Sequence, residues 1–315
     1  MMCHLVIGGG LIGKPLAERL AARGDVVSVA TRSGTSAVGA RSISLDAGDQ
    51  ASVTEAAQGA DTIFLCTNPP YPKWATEWPP IFAAAIAAAS ASGAGLVIMG
   101  NLYAYGSPNG PMTEHSPQVT SEGKGLIRKA GWEQALTAHE RGDIRAVEVR
   151  ASDYFGPGAK VTSHLGERFF GPLLASKTAR VVGGPTLKHS WSYLPDIVST
   201  LVAAADYAGE WGRAWHVPSN APLARTEIAK QVNQRWDVTG RVAGIPQWLL
   251  SSLGVFSPMM REISASSYQF RMPYVIDSAE TEQLLGVKAT RWDDALAATV
   301  EYYRNPLAGP LPAQN

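Results

Sequence analysis

The chain has 315 residues, which is enough for about two domains. Hydrophobic residues make up 45% of it and charged residues 17%, and 27 basic residues balance 27 acidic ones. This composition is typical of globular proteins. It excludes a protein that binds nucleic acid through a large basic charge.

Two cysteines, Cys3 and Cys66, are too few for a disulfide framework or a zinc cage, and no His/Cys/Asp cluster has the spacing of metal ligands. The first residues lack the basic and apolar regions of a secretory signal. We therefore expect a protein of the reducing cytoplasm that binds no metal. Residues 81–100 are uncharged and Ala-rich, and we interpret them as a helix, a turn and a buried strand rather than a membrane span.

Short β-type segments alternate with helix-type segments through the first half of the chain, which is typical of βαβ units. Ile12, Leu16 and Leu20 recur at helical spacing between the first two strands. The predicted fold is therefore α/β, a Rossmann-type doubly wound parallel sheet. Its predicted strands are Leu5–Ile7, Val26–Ala30, Ser42–Leu45, Thr62–Cys66, Leu96–Met99 and Ala146–Arg150.

After Arg150 the chain becomes rich in Gly, Pro and aromatic residues, and the regular alternation weakens. We predict a dinucleotide-binding Rossmann domain over residues 1–153, to which a segment near 190–206 returns. A smaller lobe over residues 154–315 is predicted to bind mainly the substrate. The Pro-rich end from Pro306 is expected to be a frayed tail.

Residues 8–13 read Gly-Gly-Gly-Leu-Ile-Gly, a G-x-G-x-x-G motif that follows a predicted strand and opens a predicted helix. Gly8 permits the tight turn, Gly10 lets a pyrophosphate approach the backbone, and Gly13 lets the helix pack on the strand. The motif predicts a dinucleotide site, against the alternative of a Gly-rich turn without a ligand. The candidate contacts are Gly8, Gly10, Leu11, Ile12 and Gly13.

The end of the second predicted strand distinguishes NAD from NADP, because a carboxylate there binds the ribose 2′-OH whereas an arginine accommodates a 2′-phosphate. The sequence there is Thr31-Arg32-Ser33, with no carboxylate. NADP(H) is therefore favoured and NAD(H) remains possible. The alternative is that Arg32 is an ordinary solvated loop residue.

Several later motifs point to one family. Leu45–Asp49 follows the third predicted strand, Tyr105-Gly106 follows the fifth, and Arg150–Pro157 and Trp191–Asp196 come further along, before a closing Leu285-Gly286. With them the chain resembles the extended short-chain dehydrogenase/reductases, the NAD-dependent epimerase/dehydratase family, over almost its whole length.

The resemblance implies that Asp46 contacts the adenine end of the cofactor, although Asp46 and Asp49 could also cap the following helix. Asn68, after the fourth predicted strand, is a further candidate for the cofactor site. The resemblance also implies a homodimer formed by helices around Ile81–Ala89 and Lys129–His139.

The chain departs from the family at its Tyr-x-x-x-Lys motif, in which Tyr donates a proton and Lys lowers its pKa and holds the ribose. Counting back from Glu133 gives Lys129 at the Lys position and Gly125 at the Tyr position. Moving the frame to Lys124 places Thr120 at the Tyr position instead. The resemblance thus assigns ribose binding to Lys129 and leaves the proton donor missing.

The family's catalytic Ser/Thr aligns with Asn101, whose amide can donate to a carbonyl oxygen but cannot relay a proton as a hydroxyl does. The Asp-Glu pair of the dehydratases aligns with Leu102 and Tyr103, so dehydration by that pair is not expected. Tyr103 is a candidate substitute proton donor, or an aromatic packing or stacking residue.

In the substrate lobe, a diphosphate-binding Asn of the family aligns with Asp153 and an Arg aligns with His189, which disfavours a nucleotide-sugar substrate. Aromatic side chains could line an apolar pocket or simply cover a core. The histidines could be catalytic or structural. The candidate substrate residues are Tyr71, Trp74, Asp153, Tyr154, His164, His189 and Trp191.

These features lead to one principal hypothesis and two alternatives. We expect an NADP(H)-dependent oxidoreductase that acts on a small, fairly apolar carbonyl or activated alkene, with Asn101, Tyr103 and Lys129 as its catalytic residues. A sugar epimerase or isomerase with bound cofactor is one alternative. A non-catalytic NAD(P)-binding redox sensor or scaffold is the other.

Overall fold

The computed structural model describes residues 1–160, 163–249, 252 and 258–305. Its strands are β1 (Cys3–Ile7), β2 (Val26–Thr31), β3 (Arg41–Ser44), β4 (Thr62–Leu65), β5 (Gly95–Asn101), β6 (Arg145–Ala151), β7 (Asp153–Phe155), β8 (Thr178–Val182), β9 (Trp191–Tyr193), β10 (Arg213–His216) and β11 (Arg241–Ile245). Its longer helices are α1 (Gly13–Ala22), α2 (Gln50–Ala56), α3 (Trp74–Ser92), α4 (Gly123–Glu140), α5 (Glu167–Leu174), α6 (Leu194–Asp206) and α7 (Arg225–Trp236), followed by Pro258–Ser266, Ala279–Leu285 and Trp292–Arg304.

Within these residues, seven parallel strands form the central sheet in the order β10-β6-β5-β4-β1-β2-β3. The predicted doubly wound α/β fold is therefore confirmed, and each of the six predicted strands is present with its ends shifted by one or two residues. The sequence analysis missed β10. This strand has only four residues, with Arg213 and His216 at its ends, so its hydrophobic pattern is weak.

The sheet is buried on both faces by helices. One face packs against α1 and α6, through residues such as Leu16 and Ile197. The other face packs against α2, α3 and α4, through residues such as Phe82 and Trp132. Because helices cover both faces of the sheet, the central strands are buried on both sides and carry mainly apolar residues. All four residues of β4 are buried.

The uncharged stretch at residues 81–100 has the predicted form of a helix, a turn and a strand. Helix α3 ends at Ser92, Gly93 adopts a left-handed conformation with φ of 75°, and β5 begins at Gly95. Ala84, Ala85, Ala88 and Ala89 face the core. None of the described helices combines the length and apolar character needed to cross a bilayer.

A second apolar core lies beyond β6, where α5, α7 and Trp292–Arg304 pack around Phe155, Phe169 and Phe170. Helix α6 and β10 return from this part of the chain to the central sheet. The returning segment thus extends past the predicted 190–206 to His216. The tail predicted from Pro306 lies outside the described residues.

Candidate functional site

A cavity of about 900 Å³ lies at the carboxyl ends of the central strands. This edge, where the strand order reverses between β1 and β4, is the usual ligand crevice of doubly wound sheets. The loops after β1, β2, β4, β5 and β6 all contribute to its wall. The predicted cofactor residues that line it are Gly8, Gly10, Leu11, Ile12, Thr31, Arg32, Ser33, Asp46 and Asn68.

The three glycines of the motif have different surroundings. A Cβ on Gly8 would lie 2.5 Å from the Thr67 nitrogen, and a Cβ on Gly13 would lie 1.8 Å from the Gly8 oxygen. A Cβ on Gly10 would meet no protein atom within 4 Å. Gly8 and Gly13 are therefore required by the fold, whereas Gly10 leaves open space before the N-terminus of α1. That space can hold a pyrophosphate, which the helix end attracts.

The two carboxylates after β3 have different roles. Asp49 accepts a hydrogen bond from the Ala51 nitrogen and caps α2. Asp46 accepts from the Gly48 nitrogen at 2.9 Å and lines the cavity beside the end of β2. The capping alternative therefore applies to Asp49, while Asp46 belongs to the cavity wall.

Arg32 lies at the same end of the cavity. Its side chain is 63% exposed, and its Nη1 is 3.9 Å from Glu77 Oε2. Thr31 Oγ1 accepts from the Thr35 nitrogen, and the Ser33 and Thr35 hydroxyls are 3.0 Å apart. The loop thus presents a cation and two hydroxyls that are free to rearrange around a phosphate.

Lys129 does not line the cavity. Its Nζ donates to the Gln118 oxygen at 3.0 Å and lies 3.7 Å from Glu133. The preceding residue, Arg128, is in the cavity wall instead. Residues Arg128, Trp132 and Ala135 share the buried face of α4, and a one-residue step along a helix turns a side chain by about 100°. The helical periodicity of Trp132 and Ala135 was the signal that could have identified Arg128.

A hydrogen bond, an aromatic ring and an ion pair fix the guanidinium of Arg128. Its Nη2 donates to the Met99 oxygen at 2.6 Å, and its guanidinium lies 4.3 Å from the Trp78 ring and 3.6 Å from Glu148. Glu148 also accepts from Arg150 Nε at 2.7 Å. The Nε of Arg128 is buried and has no partner among the described atoms. Arg128 thus forms part of the cavity wall while its guanidinium is held by Met99, Trp78 and Glu148.

The position four residues before Arg128 is Lys124, which is buried and forms ion pairs with Glu122 and Glu262, both at 2.8 Å. The position aligned with the family's Tyr, Gly125, has no room for a side chain. A Cβ there would lie 2.3 Å from Thr120 Oγ1 and 2.5 Å from the backbone carbonyl oxygen of Tyr103. A tyrosine at residue 125 would therefore displace the backbone rather than restore a proton donor.

Tyr103 and Tyr71 meet in the cavity wall, with their hydroxyl oxygens 2.9 Å apart. Burial raises the pKa of Tyr103 well above its ordinary value, and the negative charge of Asp153 raises it further. Burial likewise raises the pKa of Tyr71. Both hydroxyls therefore stay protonated near neutral pH and can act as donors.

Asn101 also lines the cavity, at the end of β5. Its Oδ1 accepts from the Tyr103 nitrogen at 3.1 Å. This hydrogen bond assigns the orientation of the amide and leaves its Nδ2 as the atom that can donate to a ligand oxygen.

The predicted substrate residues separate into two groups. Tyr71, Trp74, Asp153 and Tyr154 line the cavity. The others do not: His189 lies behind Asp153, and the Trp191 indole donates to the Leu223 oxygen at 2.9 Å. His164 borders a small adjoining cavity of about 20 Å³, shared with Tyr71 and Tyr103, that has room for one water. Among the described residues, no group of three His, Cys, Asp or Glu side chains could hold a metal ion.

Comparison with known proteins gives a consistent result. The sequence model of the NAD dependent epimerase/dehydratase family matches residues 4–217. Among curated proteins, no sequence matches the chain. Solved structures share the fold at low identity, which supports the architecture alone.

Three of these structures have descriptions that include a bound nucleotide. MoeE5 in complex with UDP-glucuronic acid and NAD is 19% identical, with a TM-score of 0.77 over 96% of this chain and 99% of that one. A UDP-glucuronic acid 4-epimerase from Bacillus cereus in complex with NAD is 14% identical, with a TM-score of 0.76 over 97% and 99%. The dTDP-glucose 4,6-dehydratase DesIV from Streptomyces venezuelae, with NAD bound, is 19% identical, with a TM-score of 0.76 over 96% and 97%.

Proposed function

Because the chain belongs to the NAD dependent epimerase/dehydratase family, we propose that it is a nicotinamide dinucleotide-dependent reductase whose proton donor is Tyr103. Its substrate is a small, fairly apolar carbonyl compound or activated alkene. The observation that carries the proposal is the buried Tyr103 hydroxyl, which stays protonated beside Tyr71.

The cavity fits a dinucleotide. The space in front of Gly10 accommodates the pyrophosphate, Asp46 and Arg32 lie at the adenosine end, and Arg128 lies in the wall with Asn101 and Tyr103. When bound, the dinucleotide supplies the hydride. The solved relatives named above hold NAD, and this supports a nicotinamide cofactor here.

The protonated Tyr103 hydroxyl can supply the proton that a reduction needs. An alkoxide forms when a carbonyl receives a hydride, and it must be stabilised and protonated. Tyr103 donates that proton, and Asn101 Nδ2 donates a hydrogen bond to the same oxygen. Tyr71, whose hydroxyl is 2.9 Å away, then returns a proton to Tyr103 and is itself reprotonated by solvent water. Oxidation of an alcohol would instead require a base, and a hydroxyl with a raised pKa is a poor one.

A sugar epimerase is the second candidate, because one of the solved relatives, MoeE5, holds a nucleotide sugar together with NAD. Epimerisation needs both an oxidation and a reduction at one site. Its oxidation step requires a tyrosine with a lowered pKa, but burial and Asp153 raise the pKa of Tyr103. The walls of Tyr71, Trp74 and Tyr154 also suit an apolar substrate more than a sugar.

Net oxidation of NADPH and NADH with a panel of aldehydes, ketones and enones tests the proposal. We expect at least one compound of low polarity to oxidise the added cofactor stoichiometrically. Interconversion of UDP-glucose epimers without net cofactor oxidation would instead establish the epimerase. Cofactor binding without either reaction would establish the non-catalytic alternative.

Arg32→Asp is expected to weaken NADPH binding by roughly 1.5–3 kcal/mol, because it removes a charge-assisted contact to the 2′-phosphate. Titration by nicotinamide fluorescence measures this, with NADH on the same variant as the control. An equal loss for NADH, or a wild-type preference for NADH, would contradict the assignment to Arg32. It would leave the dinucleotide site itself intact.

Arg128→Lys is expected to weaken either dinucleotide by about tenfold or more, because lysine cannot donate to the Met99 oxygen and stack on Trp78 at once. Lys129→Ala is the matched control. It should leave cofactor affinity unchanged, because the half-buried Lys129 side chain contacts Gln118 and Glu133 and does not line the cavity. If Lys129→Ala weakened cofactor binding and Arg128→Lys did not, the cofactor would contact Lys129, as the family resemblance implies, and not Arg128.

A further inference from the structure

The charges that line the cavity are distributed unevenly. Of the described lining residues, only Arg32 and Arg128 are cationic. Arg32 lies at the adenosine end, and the guanidinium of Arg128 is enclosed by Trp78, Phe82 and Glu148. Where the loop after β6 meets Tyr71 and Tyr103, the charged lining group is the carboxylate of Asp153.

A hydrogen bond holds one carboxylate oxygen of Asp153 in place, and the other oxygen can pair with a ligand. Its Oδ2 accepts from His189 Nε2 at 2.8 Å, while its Oδ1 is 3.9 Å from His164 Nε2. Arg225 acts on it from a greater distance, and the Nη2 of Arg225 donates to the Val182 and Gly184 oxygens. Burial alone would raise the pKa of the Asp153 carboxyl, but the two imidazoles and Arg225 lower it below its ordinary value. The carboxylate is therefore ionised near neutral pH.

Three tyrosines line the same cavity as this carboxylate. Tyr71, Tyr103 and Tyr154 line the same cavity, and the negative charge of Asp153 contributes to the raised pKa of each of them. A carboxylate among aromatic rings is the environment that binds organic ammonium groups, through a charge-assisted hydrogen bond and cation–π attraction. The same environment repels a phosphate.

We propose that the substrate carries a protonated amine, which pairs with Asp153 Oδ1 among the rings of Tyr71, Tyr103 and Tyr154. This inference rests on the proposed function, because it specifies the class of carbonyl compound that Tyr103 protonates. The substrate is thus an amino-ketone or amino-aldehyde with an otherwise apolar body. A nucleoside diphosphate sugar does not fit, since no described cation faces its phosphates at this end of the cavity.

Calorimetric titration of the full chain, first saturated with NADPH or NADH, tests the proposal without turnover. The probes are 2-phenylethylamine, 2-phenylethanol and phenylacetate, which share a ring and differ in charge, together with UDP-glucose. We expect the amine to bind at least about tenfold more tightly than the alcohol. We expect no measurable binding of phenylacetate or UDP-glucose.

Asp153→Asn should reduce the affinity for the amine to that for the alcohol. The control Glu133→Gln removes an exposed carboxylate from the surface of α4 and should change neither the affinity for the amine nor that for the alcohol. The comparison of probes on the wild-type chain holds even if Asp153→Asn does not fold. Equal binding of amine and alcohol, no binding of either, or tighter binding of UDP-glucose would overturn the proposal. An Asp153→Asn variant that still binds the amine more tightly than the alcohol would also overturn the proposal.

Failure of this inference is distinguishable from failure of the proposed function. A chain that reduces neutral carbonyl compounds but shows no preference for the amine keeps the reductase assignment and loses the amine. A chain that binds the amine through Asp153 but oxidises no cofactor with any carbonyl compound keeps the binding site and loses the reductase assignment.

Discussion

Tyr103→Phe is expected to lower turnover by roughly 10²–10⁴-fold while leaving cofactor affinity almost unchanged. The variant keeps the ring that packs beside Trp74 and removes only the hydroxyl that hydrogen-bonds to Tyr71. Because the proton is transferred only in the chemical step, the loss should appear in kcat and not in the dinucleotide titration. Steady-state cofactor oxidation and fluorescence titration measure the two quantities separately.

Tyr71→Phe is the companion variant. It keeps Tyr103 as the donor and removes the group that returns its proton, so its turnover should fall less than that of Tyr103→Phe. A Tyr103→Phe enzyme with wild-type turnover would rule out Tyr103 as the donor, and bound water would then have to supply the proton. Equal and complete losses in both variants would instead indicate that the two hydroxyls act as one unit.

Gly10→Val is expected to abolish binding of both NADPH and NADH without unfolding the chain. A Cβ at residue 10 meets no protein atom within 4 Å, so we expect the fold to tolerate valine, which fills the space in front of α1 that the pyrophosphate needs. Fluorescence titration should show no saturable binding. The unfolding transition should stay close to that of the wild type.

Gly13→Ala is the matched contrast within the same motif. Its Cβ would lie 1.8 Å from the Gly8 oxygen, so we expect a large loss of stability rather than a specific loss of cofactor. If Gly10→Val still bound either dinucleotide normally, the motif would be a structural turn and the cofactor site would have to lie elsewhere. If Gly10→Val unfolded the chain, the open space before α1 would be misassigned.

The results expected for Tyr103→Phe and Gly10→Val would together explain how the chain can lack the family's tyrosine at residue 125 and still be an enzyme. A Cβ on Gly125 would lie so close to Thr120 and the Tyr103 backbone that this part of α4 has no room for the usual donor. Tyr103 offers a phenol hydroxyl from the loop after β5 instead. Neither neighbouring lysine replaces the usual one, because Lys124 pairs with Glu122 and Glu262, and Lys129 lies at the surface.

The sequence by itself determined the fold and the position of the glycine motif at the edge of the sheet. Period-two and period-3.6 patterns identify buried strands and amphipathic helices directly, and the glycine motif needs only its own backbone geometry. For this reason the six predicted strands, the helix and turn before β5, and the loop around Gly10 all appear where local patterns place them.

The tertiary structure alone decided which side chains line the rest of the cavity. Which of Arg128 and Lys129 reaches the cavity depends on the rotation of α4 about its axis, and that rotation is set by the packing of Trp132 and Ala135 against the sheet. The pairing of Tyr71 with Tyr103 joins loops that are 32 residues apart. The ionised Asp153 depends on His189 and Arg225, which are distant in the chain. Contacts between residues so far apart leave no local pattern in one sequence, because only folding brings their side chains together.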